Sequence, residues 1–355
     1  YDYMKILVSA AKTGGHIFPA IAVGHEISKL GHDVIFMGSG EPIEVNALKA
    51  TKFKYFVSSM QGFRGKNIFA KIKSLTLIPI SVFTTIRIIR NEKIDAMVGF
   101  GGFITVPIGL AFFIARKPIF IHEQNSILGS ANKLLSKISN INFTAFPLKN
   151  PIKKNIVCGN PIRENFKPTS TDFTNEDPIR IYITGGSQGA EYINTNLPKS
   201  LNELKQKVYI KHQCGKDKKD LVINLYNKLG IDAEVREFYN NPELLIEWSD
   251  FVISRSGALT ISEVTSMSRG VLMIPLPSSI DNHQFHNAKH IEEINMGLIH
   301  EEKDELNGLT TILKEIIDKK TYNEWKKIHN NNHHTSASNI ASQVIENINK
   351  KNEFL

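Results

Sequence analysis

The chain is poor in the residues on which disulfide-stapled and metal-bound proteins depend. It has only two cysteines in 355 residues, Cys158 and Cys214, which lie far apart in sequence and lack the spacing of a metal site. The sequence therefore predicts free thiols in a reducing compartment. We interpret Cys158 as a small buried residue without a redox role.

Two nucleotide-binding signatures are also missing. The chain has no G-x-x-x-x-G-K-[ST] loop, so ATP hydrolysis has no support in the sequence. It has no G-x-G-x-x-G loop, and Met37 and Gln213 stand near the places where NAD- or FAD-binding domains carry an acidic residue for the ribose. The sequence thus argues against an ATPase and against a dehydrogenase.

Long apolar runs are scarce as well. The first run, Ile6–Val8, is too short for a secretory signal, and we expect none. Residues 97–115 are uncharged, but they include four glycines and Pro107. This pattern favours a strand end, a loop and a buried helix over a membrane-spanning helix.

A glycine-rich loop is present in three copies, each between a predicted strand and a predicted helix. The copies are Lys12–His16, Gly99–Phe103 and Gly185–Ala190. Glycine lets the backbone turn tightly and approach a ligand closely. A helix that begins after such a loop offers free N–H groups to a phosphate. The three loops therefore predict a ligand that contains a diphosphate.

Strand and helix patterns alternate along the chain and restart once. A polar segment, residues 167–178, separates the two series and is a predicted linker. This alternation predicts an α/β fold of two Rossmann-like, doubly wound domains. The predicted N-terminal domain covers residues 1–162 plus a returning C-terminal helix at 336–355, and the predicted C-terminal domain covers residues 163–335. Predicted strands begin near residues 4, 34, 55, 96, 118, 141, 156, 180, 208, 233, 251 and 271.

The charge balance favours an anionic partner. Lys and Arg number 43 against 35 Asp and Glu, a formal net charge of +8. Nucleic acid, a phosphate-rich substrate and an acidic membrane surface all fit this balance, and so does a proteome generally rich in lysine.

One carboxylate is placed to hold a ribose. Glu263 follows a predicted strand and the glycine turn at Gly257, within the first turns of a predicted helix. A carboxylate accepts hydrogen bonds from two neighbouring hydroxyls. The alternative is that Glu263 only complements the helix dipole.

Six motifs occur in an order that closely resembles the MurG family, the UDP-N-acetylglucosamine:lipid I glycosyltransferases of peptidoglycan synthesis. The resemblance runs from Met4 to the final helix and implies the GT-B fold, with the donor held mostly by the C-terminal domain. The motifs are Thr13–His16, His122–Asn125, Gly159–Arg163, Gly185–Ala190, Arg255–Thr260 and Gln284–Ala288.

The resemblance also implies a set of substrate-binding residues. Glu263 would bind the ribose, Tyr239 would contact uracil through its backbone, and Ser187 and Arg163 would meet the diphosphate. Gln284 and Asn125 would contact the sugar. The remaining implied residues line the donor site or approach it from the N-terminal domain: Ala258, Leu259, Thr260, Ile261, Ser262, Thr13, Gly14 and Gly15.

Transfer of a sugar needs a base that takes a proton from the acceptor hydroxyl. His16 is the leading candidate, because a helix start lowers the pKa of an imidazole and keeps it neutral. Its alternative roles are to order the loop or to touch the substrate. Glu123 is the second candidate, and a buried structural carboxylate is its alternative role.

No metal or cofactor is implied. His283, His286 and His290 have a spacing that places them on one helical face, which also suits a metal, but the resemblance implies only Gln284, Asn287 and Ala288 there. The family usually has further glycines where this chain has Ala11 and Lys12. Lys12 has two open interpretations, contact with a lipid diphosphate or exposure to solvent.

The implied acceptor carries a long polyprenyl chain, so we expect work at a membrane surface. Residues 66–90 interleave apolar side chains with Lys66, Lys71 and Lys73, which suits an anionic interface. The alternative is an ordinary helix packed on the sheet. The expected location is the cytoplasmic face of the inner membrane, without a nucleic-acid partner.

The sequence thus leads to one expected activity and two rivals. The expected activity is inverting, metal-independent transfer of N-acetylglucosamine from its UDP donor to the 4-hydroxyl of N-acetylmuramoyl-pentapeptide in lipid I. This step gives lipid II and links the chain to cell-wall synthesis, cell shape and cell division. The rivals are a UDP-N-acetylglucosamine 2-epimerase and a non-catalytic scaffold that recruits other cell-wall enzymes.

Overall fold

The structure is a computed structural model that describes residues 3–11, 13–58, 68–168 and 178–352, with side chains from residue 77 onward in the third range and up to residue 350 in the fourth. Lys12 and most of the predicted linker lie outside these residues. The chain divides into unit 1, Tyr1–Arg163 with Asn332–Leu355, and unit 2, Glu164–Asn331. The sequence placed Arg163 in the second unit and began the return at residue 336, so both bounds differ slightly from this division.

Unit 1 is built on a seven-stranded parallel sheet in the order β3-β2-β1-β4-β5-β6-β7. Its strands are β1 Lys5–Ser9, β2 Asp33–Gly38, β3 Lys54–Val57, β4 Ala96–Gly99, β5 Ile119–Glu123, β6 Ile141–Thr144 and β7 Asn155–Val157. Its helices are α1 Gly14–Lys29, α2 Pro42–Lys49, α3 Ile68–Glu92, α4 Thr105–Ile114, α5 Ser130–Leu135 and the final α13 Asn332–Asn352.

The final helix belongs to unit 1 because its apolar stripe fits the core there. Ile340, Val344 and Ile348 follow one another at intervals of four residues and therefore share one helical face. All three are buried in one hydrophobic cluster with Ile17 of α1 and Val8 of β1. The predicted return of the C-terminal helix to the N-terminal half is consistent with this packing.

Unit 2 repeats the same architecture with six parallel strands in the order β10-β9-β8-β11-β12-β13. Its strands are β8 Ile179–Thr184, β9 Val208–Gln213, β10 Ala233–Arg236, β11 Phe251–Ser254, β12 Gly270–Met273 and β13 Gly297–Ile299. Its helices are α6 Glu191–Asn202, α7 Lys219–Lys228, α8 Pro242–Trp248, α9 Ala258–Ser266, α10 His283–Glu293, α11 Leu306–Asp318 and α12 Thr321–Lys326, with a 3₁₀ turn at Ile280–Asn282.

All three glycine loops follow strands at which the strand order reverses. In unit 1 the neighbours β1 and β4 lead away to opposite edges, and in unit 2 the neighbours β8 and β11 do the same. The connections from such strands leave in opposite directions and open a crevice at their carboxyl ends. The topology therefore places each glycine loop where parallel sheets bind ligands.

The predicted fold class is confirmed, and each predicted strand is present within about two residues of its predicted bounds. The apolar run at residues 97–115 forms the end of β4, a loop and the buried helix α4, as predicted. The three-residue strand β13 was not predicted. Among the described residues, no helix has both the length and the apolar character needed to span a membrane.

Both cysteines are free and buried. Burial raises the pKa of the Cys158 thiol to about 12, so it stays protonated at neutral pH. This agrees with the interpretation of Cys158 as a small packing residue.

Candidate functional site

The candidate base of unit 1 lies in the first turn of α1. Thr13 is the N-cap residue, and the helix begins at Gly14. The Nδ1 atom of His16 lies 3.1 Å from the carbonyl oxygen of Ala11 and 3.1 Å from Thr13 Oγ1. Because a carbonyl oxygen only accepts, Nδ1 carries the proton and donates it to Ala11. The Nε2 atom is then unprotonated, as a general base requires.

The second glycine loop packs against this ring. Gly101 has φ +87, and a Cβ built on it would lie 3.4 Å from His16 Nε2. Burial lowers the pKa of His16, while the nearby Glu123 carboxylate acts in the opposite direction. The imidazole is therefore neutral at physiological pH and sits beside a carboxylate that stabilises its protonated form.

Glu123, the second candidate base, ends β5 and has both of its oxygens engaged. Its Oε1 accepts from the main-chain N (3.1 Å) and the Nδ2 (3.0 Å) of Asn125. Its Oε2 accepts from the main-chain N of Gly129 and from Asn132 Nδ2, both at 2.9 Å. These bonds shape the loop that carries Asn125, which favours the structural alternative for Glu123.

Two buried side chains of the same segment bond to the backbone of two different loops. His122 Nε2 lies 3.0 Å from the carbonyl oxygen of Gly159, and burial lowers the pKa of His122 to about 4. Gln124 Nε2 donates to the carbonyl oxygen of Phe100 at 3.1 Å. The sequence marked His122 and Gln124 only as members of a motif. It could not predict these hydrogen bonds, because their partners are distant in the chain.

Arg163 lies in unit 1, although the sequence assigned it to the C-terminal domain. Its guanidinium carbon is 5.2 Å from the centroid of the Phe18 ring, which is part of α1. Arginine stacks readily on aromatic faces. The side chain is thus anchored beside the helix that carries His16, and its predicted contact with the diphosphate stays a prediction.

Unit 2 contains a cavity of about 640 Å³ at its switch point. The walls come from the third glycine loop, the start of α6, the end of β11, the start of α9 and the segment after β12. The lining residues are Thr184, Gly185, Gly186, Gln188, Gly189, Ala190, Glu191, Tyr192, Ser254, Arg255, Gly257, Thr260, Leu276, Pro277, Ser278, Gln284 and Glu302.

The glycine loop reaches this position only because Gly189 lacks a side chain. A Cβ on Gly189 would lie 2.0 Å from the carbonyl oxygen of Cys214, and its φ is +71. The loop can therefore close on the end of β9 while α6 begins at the cavity wall. The first N–H groups of a helix have no partner within the helix, so this wall suits an anion.

Helix α9 contributes unequally to the cavity. Gly257 is its N-cap, and Thr260 lines the wall. Glu263 stands three residues later on the same helical face, with 7% of its surface exposed. Burial raises the pKa of Tyr182, and the charge of Glu263 adds to this rise. Ile261 is fully buried, and the Ser262 hydroxyl donates to the Ala258 carbonyl at 2.7 Å.

The other residues predicted to bind the UDP-sugar differ in their surroundings. Ser187 is exposed on the glycine loop and is not a lining residue. The main-chain N of Tyr239 donates to Gln213 Oε1 at 3.0 Å, and its side chain is buried. Gln284 lines the cavity, and its Oε1 accepts from the main-chain N of Leu276 at 3.0 Å.

Arg255, Tyr192 and Glu302 are among the polar lining residues that were not predicted as site residues. Arg255 Nη1 lies 2.5 Å from Glu302 Oε1. The Tyr192 hydroxyl lies 2.8 Å from His300 Nε2. Arg255 was part of a recognised motif, whereas no sequence signal marks Tyr192 or Glu302.

The histidines of α10 show no metal-binding arrangement. His283 Nδ1 lies 2.8 Å from the carbonyl oxygen of Ile280. In the part of the chain that the structure describes, no three His, Cys, Asp or Glu side chains are grouped to hold a metal ion.

Comparison with known proteins shows which family has this arrangement. Residues 6–143 match the N-terminal domain, and residues 180–344 the C-terminal domain, of glycosyltransferase family 28. A protein of Wigglesworthia glossinidia brevipalpis, named UDP-N-acetylglucosamine--N-acetylmuramyl-(pentapeptide) pyrophosphoryl-undecaprenol N-acetylglucosamine transferase, is 34% identical over 98% of this chain and 97% of its own. The chain belongs to the MurG family of glycosyltransferase family 28.

Solved structures agree with membership of the MurG family. The crystal structure of Acinetobacter baumannii MurG covers 97% of this chain and 99% of its own, with a TM-score of 0.82 and 27% identity. A putative UDP-N-acetylglucosamine 2-epimerase from Listeria monocytogenes has a TM-score of 0.71 at 12% identity, over 98% of each chain. The epimerase likeness shows the fold alone. The family and GT-B fold inferred from the sequence are confirmed, and the individual site residues remain predictions.

Proposed function

We propose that this MurG-family glycosyltransferase moves N-acetylglucosamine from UDP-N-acetylglucosamine to the 4-hydroxyl of N-acetylmuramoyl-pentapeptide in lipid I, giving lipid II. The observation that carries the proposal is the cavity of unit 2, where a glycine loop and two helix starts surround a space of about 640 Å³. Glu263 lies one helical turn beyond the lining residue Thr260, which suits a ribose next to a diphosphate.

In this reaction, the acceptor oxygen forms a bond to C1 of the sugar as the bond from C1 to the diphosphate oxygen breaks. A single displacement inverts the anomeric centre. The N–H groups at the start of α6 and the Arg255 guanidinium stabilise the charge that develops on the leaving UDP. His16 Nε2 takes the proton of the acceptor hydroxyl, and the neighbouring Glu123 carboxylate stabilises the resulting imidazolium.

The direct test is a transfer assay. The purified protein is incubated with radiolabelled UDP-N-acetylglucosamine and a lipid I analogue, without added metal, and label is followed into the lipid fraction. Label in the lipid fraction that depends on the analogue supports the proposal, and its absence contradicts the proposal.

The epimerase and the scaffold are separated from the transferase by the same reagents. An epimerase converts the labelled donor to an epimer when no acceptor is present. A scaffold binds UDP without turnover under any condition. The likeness to an epimerase is at the level of fold, so the transferase remains the proposal.

We also propose that unit 1 contacts an anionic membrane surface. Ile80 and Phe83 of α3 and Phe113 and Ile114 of α4 are exposed by 52%, 60%, 55% and 60%. Apolar side chains beside cations suit an interface with anionic headgroups, and Arg116 and Lys117 follow the C-cap residue of α4, Ala115.

The contribution of α3 to this surface is divided. Leu77, Ile78 and Val82 pack against the core of unit 1, as the alternative interpretation predicted, while Ile80 and Phe83 face outward. Lys66 lies outside the described residues, as do the side chains of Lys71 and Lys73. Sedimentation with vesicles tests the proposal: Phe83→Ser combined with Phe113→Ser should abolish binding to anionic vesicles, and unchanged binding would contradict the proposed contact.

A further inference from the structure

The cavity of unit 2 carries an unexpected charge for a site that accepts a diphosphate. Its lining contains three charged side chains, which are Arg255, Glu191 and Glu302. Their formal sum is one negative charge. A diphosphate brings further negative charge into this space and is repelled by the carboxylates. We therefore expect one of them to move when the ligand enters.

The guanidinium of Arg255, the cation that lines the cavity, already pairs with the Glu302 carboxylate. Arg255 Nη1 lies 2.5 Å from Glu302 Oε1 as an ion pair, and its two N–H groups donate to the carbonyl oxygens of Ile274 (3.0 Å) and Pro275 (3.3 Å). The Arg255 side chain is 14% exposed and that of Glu302 is 23% exposed. The two carbonyls fix the guanidinium at the cavity wall, and the carboxylate oxygen takes the place beside it that an anionic ligand would use.

We propose that Glu302 is a competing counter-ion that the donor diphosphate displaces from Arg255. In the empty cavity Glu302 neutralises the guanidinium, and in the loaded cavity a phosphate oxygen replaces it, because a guanidinium pairs with phosphate as well as with carboxylate. After transfer, the return of Glu302 to Arg255 assists the release of UDP. This inference rests on the proposed function, since it assumes that the cavity takes the donor diphosphate.

The opposite role for Glu302 predicts the opposite result. If the ion pair only held Arg255 in a shape that the ligand needs, removing the carboxylate would weaken the binding of the diphosphate. If Glu302 competes with the ligand, removing its charge strengthens that binding. The sign of the change therefore decides between the two roles, and damage to the fold does not produce a gain in affinity.

The test measures binding of two probes, UDP and uridine, to the full-length chain by calorimetry. Glu302→Gln keeps the size of the side chain and removes its charge. We expect the Kd for UDP to fall about tenfold, while the Kd for uridine, which has no phosphate, changes by less than twofold. Glu301→Gln is the matched control, because Glu301 is the adjacent carboxylate, pairs with Lys303 at 3.1 Å and does not line the cavity. It should change neither affinity.

Arg255→Gln completes a double-mutant cycle. Without the guanidinium, the tightening caused by Glu302→Gln should largely disappear, since the two groups act through one another. A second variant, Glu302→Asp, keeps the charge but shortens its reach, and should tighten UDP binding less than Glu302→Gln.

Unchanged or weaker UDP binding in Glu302→Gln would overturn the inference. So would an equal gain in the Arg255→Gln background, or wild-type protein that binds UDP no more tightly than uridine. Failure of the proposed function is a separate result, namely no transfer of label to the lipid I analogue. Wild-type protein that transfers sugar while Glu302→Gln leaves UDP affinity unchanged refutes the counter-ion role alone.

Discussion

The two units use the same backbone device for different chemistry. In each, a glycine loop follows the first strand of a parallel sheet at the switch point and leads into a helix. In unit 1 this helix start carries His16, whose Nδ1 donates to the carbonyl oxygen of Ala11 just before the loop. In unit 2 the corresponding space is an open cavity of about 640 Å³. Under the proposed function, the helix start serves proton transfer in unit 1, where a side chain occupies it, and anion binding in unit 2, where it lines an open cavity.

Removal of the His16 side chain in unit 1 should have the largest effect on the rate of sugar transfer. We expect His16→Ala to lower kcat by about a hundred- to ten-thousand-fold, the usual contribution of a general base, with nearly unchanged UDP affinity. Transfer kinetics and calorimetry measure the two quantities. His25→Ala, an exposed histidine on the same helix, is the control. Full turnover in His16→Ala would remove the base assignment.

Removal of the Glu263 side chain in unit 2 should weaken binding of the UDP-sugar. We expect Glu263→Ala to weaken UDP-sugar binding by about ten- to a hundredfold, because each hydrogen bond to a charged group contributes about 1.5–3 kcal/mol. Glu203→Ala, an exposed carboxylate at the end of α6, should leave binding unchanged. If Glu263→Ala kept wild-type affinity, its role would be limited to the helix dipole.

The closure of the unit 2 loop can be tested through stability. Gly189→Ala should lower the free energy of unfolding by about 1–3 kcal/mol, since its Cβ would lie 2.0 Å from the carbonyl oxygen of Cys214. Gly186→Ala is the matched control. Gly186 has φ +81 but nothing within 4 Å of its Cβ, so it should lose about 1 kcal/mol from backbone strain alone. Urea unfolding of the two variants measures the difference, and equal losses would argue against tight packing at Gly189.

Acid should lower the stability of both units. Burial lowers the pKa of His122 in unit 1 to about 4 and that of His212 in unit 2 to about 3. Below pH 6.5 the unfolded chain binds these protons and the folded chain does not, so stability should be complete above pH 6.5 and decline as the pH falls toward 4. Urea midpoints across this range measure the decline. Replacing His122 with Asn should flatten its slope, and an unchanged slope would mean that other groups dominate.

The sequence predicted the features that local chemistry determines. Paired glycines between apolar runs identified all three loops, and the apolar runs identified the strands on either side of each switch point. Ile261 and Ser262, which only the resemblance implied, are buried and are not lining residues of the cavity, because the packing of a helix decides which of its residues face a cavity. The ion pair of Arg255 and Glu302 joins segments 47 residues apart in the chain, and no local sequence pattern predicts it.

The returning helix α13 has a consequence for how this chain is made. Because Asn332–Leu355 completes the core of unit 1, unit 2 is in effect an insertion within the sequence of unit 1. During synthesis, the whole of unit 2 leaves the ribosome before the last helix of unit 1 exists. The hydrophobic cluster that includes Val8 and Ile17, near the start of the chain, is therefore complete only after Ile340 and Val344 have been synthesised. The unit that is begun first is the one that is finished last.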